Sequence, residues 1–199
     1  MIIISQNIAN YDIPVPKNAV FRINLAWVNN LNDLTDILEK HKERKIFLDL
    51  PINRTKPPNN RYTLDDIIDI VKIHSNIEYF AISNVESKNN LVEYIEKLPK
   101  SITLVPKIES HLGIENIEEI AKCLDYKPCV IMLDHDDLYS NLLKSKISSD
   151  KFTVYINQLA EFCKSNKITL LRTIGLLFGD DEKKISDYVN CKFKLNMNR

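Results

Sequence analysis

Short apolar runs rich in β-branched residues recur along the chain and predict eight strands. Most of these runs are nearly continuous, without the strict alternation of a sheet that has one face in water. That pattern is typical of parallel strands covered on both faces. The predicted strands are 2–4, 19–25, 45–50, 78–83, 101–108, 129–133, 168–173 and a weaker 191–195.

Amphipathic stretches separate most of the strands and predict helices. Thr63 is followed by Asp65 and Asp66, which is a typical helix start: a capping hydroxyl and then an acidic first turn. The predicted helices are 32–44, 63–74, 88–98, 113–124, 150–165 and 180–189. Because strands and helices alternate, we expect an α/β protein with right-handed parallel crossovers.

Eight strands favour a trimmed TIM (βα)8 barrel, and a doubly wound sheet is the alternative. The link between the first two strands contains Pro14 and Pro16 and is too short for a full helix. No helix is predicted after the last strand, so we expect the first and last helices to be reduced or absent. The 199 residues fall below the ~250 of a usual barrel, and we expect 1–199 to be one domain.

The composition excludes several classes of function. Lys and Arg total 27 and so do Asp and Glu, so no excess positive charge favours binding to nucleic acid. No apolar run approaches the ~20 residues of a membrane helix, and we expect a cytoplasmic protein without a membrane partner. The four cysteines lack the spacing of a zinc site or disulfide framework, and the three glycines cannot form a nucleotide-binding loop. The sequence is compatible with a homo-oligomer.

Polar residues at strand ends are the candidates for chemistry, because barrel enzymes place their sites there. The candidates are Arg22, Asn24, Asp49, Ser83, Asn84, Lys107, Glu109, Asp134, His135, Asp136, Asp137, Arg172 and Thr173. Charges inside apolar strands are costly unless they are paired or bind a metal ion.

Glu109 and Asp137 end neighbouring predicted strands and can present two carboxylates to one hard divalent cation, with magnesium expected. Lys107 and Arg22 would place positive charge opposite that cation, where an enolate or a transferring phosphoryl group needs it. Purely structural roles stay open. Lys107 can pair with Glu109, Arg22 can pair with Asp49, and 134–137 can be an acidic turn that caps the next helix. A lone loop histidine such as His135 more often faces solvent than acts as a base or ligand.

Two segments resemble the phosphoenolpyruvate/pyruvate barrel superfamily. They are 107–120, which begins Lys107-Ile108-Glu109, and 130–138, in which Asp137 precedes Leu138. Both are similar to the pyruvate kinase barrel domain and to the HpcH/HpaI aldolase and citrate lyase β-subunit group. The resemblance implies that Glu109 and Asp137 bind a catalytic Mg²⁺ or Mn²⁺ ion, and that Lys107 is the active-site lysine.

Earlier segments follow the order of motifs in pyruvate kinase. Segment 22–25 resembles its arginine strand, 48–49 and 81–85 resemble the next two strands, and Thr173 falls near its active-site threonine. The resemblance implies that Lys107 and Arg22 act in catalysis, and that the substrate is bound by Arg22, Thr173, Asn24 and Asp49.

The chain also departs from pyruvate kinase. Only 51–62 stands where that enzyme carries its lid domain, Ala26 and Leu50 replace the expected oxygen ligands of a potassium site, and Asp136 replaces a glycine. We therefore expect a magnesium-dependent enzyme that acts on pyruvate or a related 2-oxo acid through an enolate, as a carbon–carbon lyase or aldolase. The alternatives are phosphoryl transfer linked to phosphoenolpyruvate, and a degenerate, non-catalytic barrel that binds a ligand or partner.

Overall fold

A sheet of parallel strands in sequential order forms the centre of the molecule. The computed structural model describes residues 3–5, 18–53, 58 and 60–172. Each strand pairs in parallel with the next along the chain, in the order β1 to β7. The strands are β1 (Ile3–Ser5), β2 (Val20–Asn24), β3 (Ile46–Leu50), β4 (Ile77–Ile82), β5 (Thr103–Ile108), β6 (Val130–Leu133) and β7 (Thr169–Arg172).

Helices connect the strands from β2 onward. They are α1 (Leu31–Lys40), α2 (Leu64–Ile73), α3 (Val92–Lys97), α4 (His111–Glu115), α5 (Ile117–Lys122), α6 (His135–Lys144) and α7 (Lys151–Ser165). The predicted cap of α2 is confirmed as a reciprocal capping box, since the Thr63 N–H donates to an Asp66 carboxylate oxygen at 2.7 Å. In the described part of the chain, no helix combines the length and hydropathy needed to cross a membrane.

The α/β class with parallel strands is confirmed, but the predicted trimmed (βα)8 barrel is wrong. A closed barrel needs its first and last strands to pair. Among the described strands β1 pairs only with β2 and β7 only with β6. The sheet is therefore an open, curled half-barrel, because apolar runs predict strands but do not determine whether two sheet edges meet. The predicted strand 191–195, the helix 180–189 and most of the link 5–18 lie outside the described residues.

Side chains on the sheet alternate between two apolar clusters. One cluster lies between the sheet and the helices, and it includes Ile23, Leu48 and Ile82. The other, here called the inner cluster, lies on the concave side and consists of Val20, Phe47, Ala81, Val105, Val130 and Met132. Ile3 of β1 and Leu171 of β7 both pack against the inner cluster. The sheet therefore curls around this cluster.

Two helical regions differ from the prediction. The helix predicted at 113–124 is divided into α4 and α5 at Asn116, whose Nδ2 donates to the Glu86 carbonyl at 2.8 Å. Helix α6 was not predicted as a helix, although its first residues were considered as a cap. Asp134 is its N-cap and accepts the N–H of Asp137 through Oδ1 at 3.3 Å.

Candidate functional site

A layer of polar side chains covers the inner cluster at the carboxyl ends of the strands. Strand side chains alternate, so a residue two positions after an inner-cluster residue lies on the same side of the sheet. Arg22, Asp49, Ser83, Lys107 and Asp134 follow Val20, Phe47, Ala81, Val105 and Met132 in this way. Glu109 continues the same side of β5. The predicted residues Arg22, Asp49, Lys107 and Glu109 therefore lie together.

The buried charges of this layer are paired. Asp49 Oδ2 accepts hydrogen bonds from Arg22 Nη2 and from Arg22 Nε, the latter at 3.0 Å. Lys107 Nζ lies 3.5 Å from Asp49 Oδ2 and 2.9 Å from Glu109 Oε1, and it donates to Ser83 Oγ at 3.0 Å. Asp49 is fully buried, and Lys107 and Glu109 are each 4% exposed. Pairing is what makes such burial tolerable.

The electrostatics of the layer favour additional positive charge. Burial alone would raise the pKa of Asp49, but Lys107 and Arg22 hold that pKa below its usual range. Burial raises the pKa of Glu109 in spite of Lys107, and burial also raises the pKa of Asp134. Burial alone would lower the pKa of Lys107, but Asp49 and Glu109 keep it above its ordinary value. Lys107 is therefore an ammonium ion at neutral pH, whereas Glu109 and Asp134 resist ionisation.

Three carboxyl groups converge beside Lys107. Glu109, Asp134 and Asp137 each offer one oxygen, and these oxygens all lie within 4.8 Å of one another. Carboxylate oxygens are the ligands that hard divalent cations prefer. With Asp49, the layer has four carboxyl groups against the two cations Arg22 and Lys107, so its fully ionised form has a net charge of −2. The donor atoms and the charge of this acidic triad fit one divalent cation.

Asp134 is the member of the triad that sequence reasoning did not assign to the metal. It directly follows β6 and also caps α6. Its position in the aspartate-rich segment 134–137 suggested a helix cap, and that role is present. The available signal was its register, two residues after Met132, which places it on the inner side of the sheet.

Asn84 holds Glu109 from the loop after β4. Its backbone N–H donates to Glu109 Oε2 at 2.8 Å, and its side-chain Nδ2 donates to the Ile52 carbonyl at 2.7 Å. The φ of Asn84 is 55°, a left-handed conformation that asparagine tolerates better than most residues. Asn84 was a strand-end candidate, but sequence alone did not indicate that its backbone would contact Glu109.

A polar cleft opens beside the triad, with a volume of about 350 Å³. Ser83, Lys107, Glu109 and Asp137 border its inner end. One face of α6 forms a wall, because Asp137, Ser140, Asn141 and Lys144 follow the i, i+3, i+4, i+7 spacing of a helix face. A small polar ligand suits a cleft of this size and lining.

Of the remaining predicted site residues, Asn24 lies beside Asp49 in the pairing of β2 with β3. Asn24 is the last residue of β2, and its Oδ1 accepts the Ala26 N–H at 3.0 Å. Thr173 lies outside the described residues. His135 is 1% exposed rather than facing solvent, and Arg172 Nε donates to its Nε2 at 3.2 Å. The structure therefore gives Asn24 a local capping contact and places His135 in the protein interior.

Comparison with known proteins gives information on the fold alone. No protein-family model matches the chain, and no curated protein matches it. Among solved structures, the crystal structure of RipC from Yersinia pestis is similar, with a TM-score of 0.59 and 16% sequence identity. The match covers 87% of this chain and 78% of RipC. At this identity the similarity supports a shared architecture only.

Proposed function

We propose that the chain is a magnesium-dependent enzyme that acts on pyruvate or a related 2-oxo acid through an enolate, and that it cleaves or forms a carbon–carbon bond. The observation that carries the proposal is one small polar cleft bordered by a buried ammonium group, Lys107, and by two carboxyl groups of the acidic triad. The resemblance of 107–120 and 130–138 to the phosphoenolpyruvate/pyruvate superfamily supports the choice of substrate.

Glu109, Asp134 and Asp137 would hold the Mg²⁺ or Mn²⁺ ion. Such an ion, when bound, stabilises negative charge on the oxygens of a 2-oxo acid as a Lewis acid. Glu109 is kept in place from two directions, by the Asn84 N–H at 2.8 Å and by Lys107 Nζ at 2.9 Å. These contacts fix its carboxylate before any ligand binds.

Lys107 would supply fixed positive charge at the reacting end of the cleft. An ammonium group that is already oriented by Asp49, Glu109 and Ser83 needs no rearrangement as negative charge grows on an enolate. Because the amine is protonated, Lys107 cannot attack a carbonyl. The proposal therefore assigns Lys107 an electrostatic role and not a Schiff base.

Arg22 would have a narrower role than the resemblance implies. Asp49 accepts from both Nε and Nη2 of Arg22, and Nη1 is the guanidinium nitrogen that these bonds leave for a substrate oxygen. Arg22 would thus fix Asp49, and through Asp49 the position of Lys107. The pairing also favours a second candidate function, a ligand-binding protein without turnover, because Asp49 takes two of the Arg22 nitrogens that the resemblance assigns to catalysis.

Exchange of the pyruvate methyl protons separates the two functions. We expect the protein with Mg²⁺ in D₂O to exchange them faster than buffer with the same Mg²⁺, as followed by proton NMR, and a chelator to abolish the difference. By comparison with a lost oxyanion-hole donor, Lys107→Met should slow exchange ~100-fold to 1,000-fold.

Lys144→Met is the matched control. Lys144 borders the same cleft but is exposed, so its loss should leave the exchange rate nearly unchanged. If the wild type exchanges no faster than buffer while oxalate still binds with Mg²⁺, the enolate mechanism is wrong and the non-catalytic function replaces it. If Lys107→Met and Lys144→Met behave alike, the role assigned to Lys107 is wrong.

A further inference from the structure

Ser83 carries a buried hydroxyl that borders the cleft, and its one role so far is as a hydrogen-bond partner of Lys107. It directly follows β4, is 6% exposed and borders the cleft together with Lys107 and Glu109. Its side chain is on the concave side of the sheet, two residues after Ala81 of the inner cluster. Position and burial therefore place a polar group where a ligand would bind.

The contact with Lys107 determines which way the Ser83 proton can point. A hydroxyl has one proton to donate and two lone pairs that accept, whereas an ammonium group can only donate. Lys107 Nζ donates to Ser83 Oγ at 3.0 Å, so the Ser83 proton must point away from Lys107. Within 3–5, 18–53, 58 and 60–172, no hydrogen bond from this hydroxyl is found, and the group borders the cleft.

We infer that Ser83 is a ligand-binding residue whose hydroxyl donates a hydrogen bond to a carboxylate or enolate oxygen of the bound acid. The class of ligand rests on the proposed function; the direction of the donor rests on the Lys107 contact alone. Donation by Lys107 polarises the hydroxyl, because hydrogen bonds in a chain strengthen one another. The bond to a negatively charged oxygen is therefore a strong one.

Ser140 provides a matched control in the same cleft. Its hydroxyl also borders the cleft, but it donates to the Asp136 carbonyl at 2.8 Å and so has no proton left for a ligand. Removing this hydroxyl should leave ligand affinity unchanged, whereas removing the Ser83 hydroxyl should weaken binding. The comparison separates a donated proton from general polarity of the cleft.

The test measures oxalate binding by calorimetry in saturating Mg²⁺, with Mg²⁺ binding measured separately. Hydrogen bonds to charged groups predict that Ser83→Ala weakens oxalate binding about 10-fold to 100-fold. Ser83→Thr, which keeps a hydroxyl, should restore most of the affinity, and Ser140→Ala should bind as the wild type does. Mg²⁺ affinity should be the same in all four proteins, because Ser83 is not a metal ligand. If Ser83→Ala does not fold, Ser83→Cys gives the same comparison with a weak donor.

The outcomes distinguish this inference from the proposed function. Unchanged oxalate affinity in Ser83→Ala, or in Ser83→Cys where that variant is used, overturns the role of Ser83 even if pyruvate exchange is rapid. Loss of affinity in Ser83→Ala with rescue by Ser83→Thr supports it even if the wild type shows no exchange. A wild-type protein that binds Mg²⁺ but not oxalate overturns both.

Discussion

At the scale of single residues, Lys107 links the two halves of the site. Its Nζ lies between Asp49, which also pairs with Arg22, and Glu109, which belongs to the acidic triad. Lys107 neutralises part of this negative charge but not all of it. A divalent cation would neutralise the remaining negative charge, and the resulting gain in stability can be measured.

Magnesium or manganese should raise the melting temperature of the wild type. A ligand that binds only the native state stabilises it by ~2.7 kcal/mol at a hundredfold excess over Kd. Glu109→Gln should remove most of this shift because it removes one ligand of the triad. Glu86→Gln, a change at another residue that borders the cleft, should keep the shift. Equal shifts in Glu109→Gln and the wild type, measured by differential scanning fluorimetry, would place the metal elsewhere.

Stability without metal should depend on pH through Glu109. Burial raises its pKa above the ordinary value of 4.5, so the folded protein holds this proton more firmly than the unfolded chain does. The stabilising contribution is full below the unfolded pKa and is lost as pH rises through the folded pKa. With chelator present, the free energy of unfolding of the wild type relative to Glu109→Gln should therefore decrease above pH ~4.5.

Urea unfolding over a pH series measures this difference. Asp49 should contribute in the opposite sense, since its pKa is lowered; its contribution is present above its unfolded pKa, about 3.9, and is lost as pH falls through the lower folded value. A difference between wild type and Glu109→Gln that is constant with pH would contradict the raised pKa of Glu109.

At the scale of elements, the sequence predicted those features that are set by local chemistry. The strand predicted at 45–50 is β3, and the cap predicted at Thr63 is present. The break at Asn116 was missed because it depends on a contact with Glu86, which is 30 residues away. Helix α6 was missed because its acidic start was interpreted as a turn before a later helix.

Helix α4 approaches the loop after β4 so closely that Gly113 has no room for a side chain. A Cβ at this position would lie 2.5 Å from the Val85 carbonyl oxygen. Gly113→Ala should therefore destabilise the protein by ~1–3 kcal/mol, although alanine favours helices more than glycine does. Leu112→Ala in the same helix, where Leu112 is 41% exposed, should change stability by less than ~0.5 kcal/mol.

Chemical unfolding of both variants measures the effect. A stabilised Gly113→Ala protein would mean that α4 can shift away from Val85 at little cost. In that case the close approach of α4 to the loop after β4 would not require a glycine at position 113.

At the scale of the whole molecule, the concave side of the sheet is a packed core with a polar layer over it. Phe47 is the largest fully buried residue of the inner cluster. Phe47→Ala should destabilise the protein by ~3–5 kcal/mol. Trp27→Ala, at a residue 53% exposed, is the control and should cost far less. Similar losses in the two variants, measured by urea unfolding, would show that the inner cluster is not a core.

The shape of the whole sheet decides which parts of the site can be predicted from the sequence. The two-residue spacing of Lys107 and Glu109 was sufficient to place both on one side of a strand, and the structure does so. The closeness of Asp134, Ser83 and Asn84 to these residues depends on how the sheet curls and on a left-handed backbone at Asn84. Sequence periodicity contains neither kind of information.

The strictly sequential strand order also relates the position of each site residue in the sheet to the order of its synthesis. Because every strand pairs with the one before it, the polar residues leave the ribosome in the order of their positions in the sheet, from Arg22 on β2 to Asp137 on α6. Each new strand can add to a sheet edge that already exists, but every parallel pair must first close the crossover between its two strands, which makes pairing slower than in a hairpin. Asp134 and Asp137, the last carboxyl groups of the acidic triad, are therefore synthesised after the buried Lys107.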